Sequence, residues 1–479
     1  EGGQQVGTKK SGAGSASGSG FIVSHRIQVC PYLSCNWVDL RTNLRVLPEI
    51  KVFVRGGVRI AFVGITTPET FTKSTPAYFM NKAQTKYIYD ILGGEDGQKL
   101  YSAVQKAVDK AKCLADVVIG LGHLGVDPSS SPWTSEEVIA HTTGFDAFID
   151  GHSHTVMENK QVADASGRLV TLTQTGSYFA NVGEMTIAPD GTISTRLVST
   201  YDQEDVAVAA EQAAWVNTVD DMLGEKIAVA DTKFYITDPA TGKRRIRSGE
   251  TNLGDFVADG IYTYFNEVEQ LHCDIAIMNG GGIRSDEDAG YWTFKTCKQV
   301  SPFGNVACLM SVTGKQIQDA LEFAARFAGA EGKENGGFLQ VAGATYEIRT
   351  DIPNTVQTDD KNVWIGSATG TPRVQNVKIY DRHTGTYEPL DPAKTYALAG
   401  MNYTLRNLGD GFAMFDGAEL IKDYVSEDYL VMSTYAMTFG GVDAEGLPHL
   451  SSANSVLAEY PGYLLDYENP YGAGRISIL

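Results

Sequence analysis

Apolar positions along this chain fall into short continuous runs separated by stretches with helical spacing. The run Val58 to Thr66 reads as a buried strand, closed by Thr67-Pro68. From Tyr101 to Ala111 the apolar residues Val104, Val108 and Ala111 recur at helical intervals. Val117 to Leu121 predicts a second strand, Ser135 opens a helix with Glu136 and Glu137 near its positive end, and Phe145 to Ile149 predicts a third strand. Strand, helix, strand, helix, strand implies an α/β sheet with its functional loops at the strands' carboxyl ends. Leu169 to Thr173 and Gly183 to Ile187 alternate as further strands of the same unit, and a polar stretch, Ser199 to Asp205, leads into a helix over Val206 to Leu223.

The second half has its own rhythm. Leu253, Phe256, Val257, Ile261, Tyr264 and Phe265 form one helical stripe, and Ile275 to Met278 is a short buried strand. Val306 to Val312 is another strand, and Thr313 to Gln316 has the form of a capping box that opens a helix burying Ile317, Ala320, Leu321 and Ala324. Thr395 to Ala399 is a strand that runs on to the turn Gly409-Asp410-Gly411-Phe412. No repeat of solenoid period occurs.

With 479 residues, two domains are the natural expectation. The net charge of −19 argues against a general nucleic-acid partner, which needs a basic surface, but allows a local cluster of arginines to bind a small anion. No apolar run is long enough to span a membrane. Six scattered cysteines make no disulfide scaffold; Cys30 and Cys35 are the pair placed for a local bridge, and Cys113 and Cys308 are expected to be buried thiols. Residues 1–20 are rich in Gly and Ser, predict a disordered segment, and lack the apolar core of a secretory signal.

Three of the eight histidines sit on turns after predicted strands: His123 in Gly122-His123-Leu124-Gly125, and His152 and His154 in Gly151-His152-Ser153-His154. Imidazoles so placed can hold a divalent metal. Phosphate-ester hydrolysis generally uses two ions bridged by a carboxylate, so further ligands are expected; Asp127 and Asp150 are near in sequence but neither is obviously placed to bridge. In the second half, the glycines of Asn279-Gly280-Gly281-Gly282-Ile283-Arg284 let backbone N–H groups approach an anion or a ring, and Arg284 could clamp a phosphate or carboxylate. Arg247, in the basic run Lys243 to Arg247, is also aimed at an anion. Phe303, flanked by Pro302 and Gly304, could stack on a planar base, and Asp410 could accept hydrogen bonds from ribose hydroxyls.

Together these segments resemble the 5′-nucleotidase family of metallophosphatases, from about Pro31 to the end. The carriers are Pro31 to Asn36, Gly64 to Glu69, Gly122-His123, Gly151 to His154, Glu250 to Gly254, Asn279 to Arg284, Pro302 to Gly304 and Gly409 to Phe412. The resemblance implies an α/β fold: a calcineurin-like αββα metallophosphatase domain, here incomplete, followed by a separate mixed α/β substrate-binding domain. The implied layout is a metallophosphatase domain over 21–198, a linker helix and hinge over 199–225 and a nucleotide-binding domain over 226–479. His123, His152 and His154 match metal ligands, and the implied cofactors are two divalent ions, zinc, manganese or similar. Arg247, Asn279 and Arg284 match substrate contacts, Phe303 one of two rings that sandwich the base, and Asp410 the ribose-binding Asp. The second ring falls on Thr404, so the adjacent Tyr403 is the candidate for that place.

The family's first motifs, D-x-H, G-D and G-N-H-[DE], supply the bridging Asp, further ligands and the catalytic His. None precedes Pro31, and His25 in Ser24-His25-Arg26 fits none of them, so no catalytic residue is assigned. The resemblance therefore implies that on the order of a hundred residues, including the first strands of the catalytic sheet, are absent. The implied activity is metal-dependent hydrolysis of nucleoside monophosphates in an extracytoplasmic location. Two alternatives remain: a fragment that binds nucleosides or nucleotides without turnover, and a family member acting on 2′,3′-cyclic nucleotides or nucleotide-sugars.

Overall fold

The computed structural model describes residues 31–479 except 75, 82–85, 201, 331 and 424. Residues 33–479 form one compact unit, described below. The Gly/Ser-rich opening, and Cys30 of the possible bridge, lie outside the described residues.

A six-stranded sheet organises the N-terminal half. Its strands are β1 (Ile50–Arg55), β2 (Val58–Thr66), β3 (Val117–His123), β4 (Ala147–Ile149), β5 (Val156–Ala163) and β6 (Leu169–Thr175), in the order β1-β2-β3-β4-β6-β5. The four central strands are parallel, and the register places Thr66 beside His123 and Leu121 beside Ile149. Their carboxyl ends therefore finish side by side. Helix Gln98–Lys112 covers the sheet because Leu100, Val104, Ala107, Val108 and Ala111 recur on one face and pack on Ala61, Val63 and Val118. Thr134 and Glu137 cap the helix Ser135–Ala140 reciprocally.

The strand expected over Gly183 to Ile187 is present as Val182–Ile187, but it pairs with Ile193–Val198 in a two-stranded sheet of its own, because the short Asp190-Gly191 turn brings its own partner back first. Helix Val206–Leu223 has the expected bounds, yet none of its residues is buried and Trp215 is 65% exposed. Its apolar residues are spread around the axis rather than gathered into a stripe. No helix among the described residues is long and apolar enough to cross a membrane.

The C-terminal half contains a five-stranded sheet. Strand β7 (Ile275–Asn279) lies between Leu339–Ala342 and Thr395–Met401, with Ala307–Thr313 and Glu419–Lys422 beyond. The helix Asn252–Thr263, buried at every residue, packs on one face. The helix Gly314–Ala324 packs on the other, opened by the Thr313 and Gln316 capping box. The last strand, Ile476–Ile478, adds to a four-stranded sheet beside Ala344–Ile348. Just before it, Arg475 is wholly buried. It donates to Asp259 Oδ2 at 2.8 Å and to the Val341 and Leu464 carbonyls. Cys35 and Cys308 are buried free thiols, but Cys113 is exposed, contrary to expectation. It follows the last turn of the helix Gln98–Lys112, where its thiol donates to the Asp109 carbonyl.

Candidate functional site

A cavity of about 470 Å³ lies between the two halves. It is lined by all nine residues singled out from the sequence: His123, His152, His154, Arg247, Asn279, Arg284, Phe303, Tyr403 and Asp410.

The imidazole wall follows from the register of the parallel strands. His123 ends β3, and the turn Asp150 to His154 follows β4, so the rings of His123 and His152 meet with centroids 5.0 Å apart. His152 (φ +89°) and His154 (φ +58°) both take left-handed backbone conformations that non-glycine residues rarely adopt. Asp150 anchors this turn: its carboxylate accepts from the Leu124 N–H at 2.9 Å and the Gln174 side-chain amide at 3.0 Å. It does not line the cavity, whereas Asp127 does. Burial, helped by His152, pushes the His123 pKa down; burial, then Arg284, Arg244 and Arg247, does the same for His154. Both rings are thus biased towards the neutral form that can bind a metal.

Glu69 belongs to this wall. Its Oε2 lies 2.9 Å from His152 Nε2 and accepts from the Ser130 hydroxyl at 2.7 Å. Burial alone would raise its carboxyl, but His152, Lys73 and Ser130 together outweigh it and hold the pKa below the ordinary value. The donors face one cavity, but among the described residues no group of three or more His, Cys, Asp or Glu side chains is arranged to hold a metal ion. The wall therefore supplies ligand-type donors on one face of the cavity.

The opposite wall is built at the end of β7. Gly280 lets this strand end approach the Arg245-to-Arg247 segment, since a Cβ there would come within 2.3 Å of the Ile246 carbonyl oxygen. Asn279 Nδ2 donates to Asp410 Oδ2 at 3.0 Å, and Asp410 is 2% exposed on a turn with φ +55°. Phe303 is 58% exposed, with the Arg284 guanidinium 5.6 Å from its ring centre. Arg247 Nε is shielded from solvent and has no hydrogen-bond partner among the described residues. Burial, then the charges of Arg244 and Arg284, pushes the Arg247 pKa down to about 10. Arg326 on the same cavity also has an unpartnered Nε among the described residues, and burial pushes it to about 10 as well. Burial, with neighbouring arginines at Arg247 and Arg284, leaves concentrated positive charge on this wall that suits an anion.

Tyr403, the candidate second ring, is half-buried and lines the cavity. Its ring lies against Gly409, where a Cβ would come within 2.4 Å of it, and its hydroxyl donates to the Thr72 carbonyl and accepts from the Asp410 N–H. Phe327 lines the cavity together with Phe303. Sequence reasoning missed Glu69, Lys73, Arg244, Arg326 and Phe327 as site residues. Glu69 carried a usable signal, since it follows a strand end as the histidines do.

The Phe303 loop is held by Asp428, whose Oδ2 accepts from the Asn305 N–H at 3.1 Å. Burial pushes the Asp428 carboxyl up to about 6. A raised folded-state pKa favours the protonated carboxyl, so its contribution is intact below pH 3.8 and is lost as pH rises through about 6. The expected loss is about 2–3 kcal/mol. Chemical denaturation at pH 4 and pH 7 should show a smaller pH-dependent loss in Asp428→Asn than in the parent protein. Equal losses would contradict this assignment.

Comparison with known proteins bears on this geometry. Residues 226–417 match the family described as the 5′-nucleotidase, C-terminal domain. The chain is 28% identical over 396 residues to the trifunctional nucleotide phosphoesterase protein YfkN of Bacillus subtilis, covering 80% of this chain but 24% of that much longer protein. It is 26% identical over 480 residues to the 5′-nucleotidase of Rattus norvegicus, covering 91% of this chain and 74% of the relative. Among solved structures, the 5′-nucleotidase precursor of Thermus thermophilus superposes with a TM-score of 0.67 at 23% identity, over 94% of this chain and 78% of that one. The fold is accordingly that of this structure: an α/β half built on a six-stranded sheet with four parallel central strands, followed by a mixed α/β half.

Proposed function

We propose, from the premise that this chain belongs to the 5′-nucleotidase family by its C-terminal domain, that it takes a nucleotide into the cavity and hydrolyses its phosphate ester. One observation carries this reading: groups suited to a nucleoside and groups suited to a phosphate line the same cavity. The exposed face of Phe303 suits a base, and Asp410 can accept from sugar hydroxyls. Arg247, Arg284 and Arg244 supply charge for the phosphate, with His154 close enough to feel all three. Glu69 fixes the orientation of His152 at the same end. Residues 199–225, between a metallophosphatase half (21–198) and a nucleotide-binding half (226–479), are the proposed hinge. An extracytoplasmic location goes with this reading.

The two divalent ions implied by the resemblance need more donors than the described residues gather. A second reading is nucleotide binding without turnover. Calorimetric titration separates the parts of the proposal. AMP is expected to bind at least about tenfold more tightly than adenosine, because the arginines engage phosphate. Arg247→Met should remove most of that difference while leaving adenosine affinity near its original value. Equal affinities for AMP and adenosine in the parent protein would sink the phosphate assignment. Phosphate release from AMP with added Mn²⁺ or Zn²⁺ supports hydrolysis, and binding without release supports the second reading.

A further inference from the structure

The single helical turn Thr70–Lys73, with Glu69 at its start, touches both ends of the cleft. Glu69 holds His152. Four residues on, Lys73 reaches the other half, placing Nζ 2.8 Å from Asp410 Oδ1. Tyr403 fastens the same turn through the Thr72 carbonyl at 2.9 Å. The carboxylate of Asp410 is thus held from both sides, by Lys73 on Oδ1 and Asn279 on Oδ2. The partners are not equivalent. Asn279 is buried at a strand end, whereas the Lys73 side chain is 33% exposed. A lysine ammonium on a flexible, partly exposed stem can return to water at modest cost. Asp410 and Lys73 both line the cavity, so a ligand hydroxyl that approaches this carboxylate enters space the ammonium shares.

Resting on the nucleotide reading of the cleft, we propose that Lys73 is a specificity-determining residue: it occupies Asp410 until a ligand arrives, and a ligand carrying a vicinal sugar diol binds by displacing it. The ammonium goes back to water while the two hydroxyls donate to the carboxylate. A ligand without the diol has nothing to exchange for the ammonium and leaves it in place. Lys73 therefore lowers affinity for the diol-bearing ligand alone.

Substitutions of opposite sign at this one position test the idea, with adenosine and 2′,3′-dideoxyadenosine as probes. Lys73→Met removes the competitor and should raise adenosine affinity about threefold to tenfold. Lys73→Arg offers a forked, bidentate cation and should lower it. Dideoxyadenosine affinity should change in neither variant. The parent protein gives a measurement independent of how well the variants fold. Its affinity for neutral adenosine should rise with salt, as screening loosens the Lys73–Asp410 pair, while dideoxyadenosine affinity stays flat. Weaker adenosine binding in Lys73→Met, or equal changes for both nucleosides, would overturn the proposal. Failure of the parent protein to bind adenosine would overturn the nucleotide reading as well, whereas failure confined to the Lys73 pair would overturn this inference alone.

Discussion

Arg475→Leu is expected to lower stability by about 3–5 kcal/mol and the thermal midpoint by roughly 5–10 °C. Arg475 and Asp259 are both fully buried, 2.8 Å apart, so neither charge can turn to water once the other is gone. The surrounding groups are arranged for the pair. Tyr463 and Tyr467 donate to the two oxygens of Asp259, each at 2.7 Å. Glu250 accepts from the Arg475 and Ile476 backbone N–H groups, tying the start of the last strand to the loop before the helix Asn252–Thr263. Asp255, whose carboxyl is pushed well above the ordinary range by burial, lies 3.8 Å from Arg475 as well. Removing the guanidinium leaves these acids facing one another without a cation. Arg475→Leu combined with Asp259→Leu should be less damaging than the sum of the two single changes, because neither charge is then left alone. The exposed Arg59–Asp116 pair is a control: Asp116→Asn should leave the midpoint unchanged, since water already solvates both groups. A midpoint for Arg475→Leu equal to that of the parent protein would show that the network does not hold the C-terminal half together.

The second large effect concerns the cleft. Asp410→Ala is expected to weaken adenosine binding by about tenfold to a hundredfold, or about 1.5–3 kcal/mol. The carboxylate is a buried acceptor on the Asn279 wall of the cavity, and a ribose has two hydroxyls to donate. Asp410→Asn should lose nearly as much, since an amide replaces one acceptor oxygen by a donor. Inorganic phosphate, which needs only the arginines, should bind the Asp410 variants at least as tightly as the parent protein, since a nearby negative charge is gone. Denaturation of the same variants checks that the loss belongs to the ligand, because Asn279 and Lys73 both lose a partner with Asp410. Equal weakening of phosphate and adenosine would mean a collapsed cleft rather than a lost sugar contact.

Much of this is legible in the chain because it depends on local pattern. Parallel strands buried on both faces read as continuous apolar runs, so Val58–Thr66 and Val117–His123 can be located, and with them the strand ends that carry histidines. The helix Val206–Leu223 and the Thr313 cap are equally local. What escapes depends on convergence. Lys73 reads as an ordinary surface lysine until the fold brings a turn from residue 410 against it. Arg326 follows a helix and looks solvent-facing, yet it lines the cavity. Tyr403 is suggested by its offset from Asp410, but the packing of its ring on the Gly409 turn depends on the fold. Cys113 is apolar in sequence context but falls just past the helix end, on the exposed side. Spacing decides which residues share an element; it does not decide which elements meet.

One nucleotide is expected to occupy the cavity in one orientation. A crystal structure of the protein with a non-hydrolysable analogue of AMP measures this most directly. The sugar is expected on Asp410, the base against Phe303, and the phosphate among Arg247, Arg284 and His154, with the Lys73 ammonium moved off Asp410. Density for the nucleotide elsewhere, or its phosphate turned away from the arginines, would contradict it.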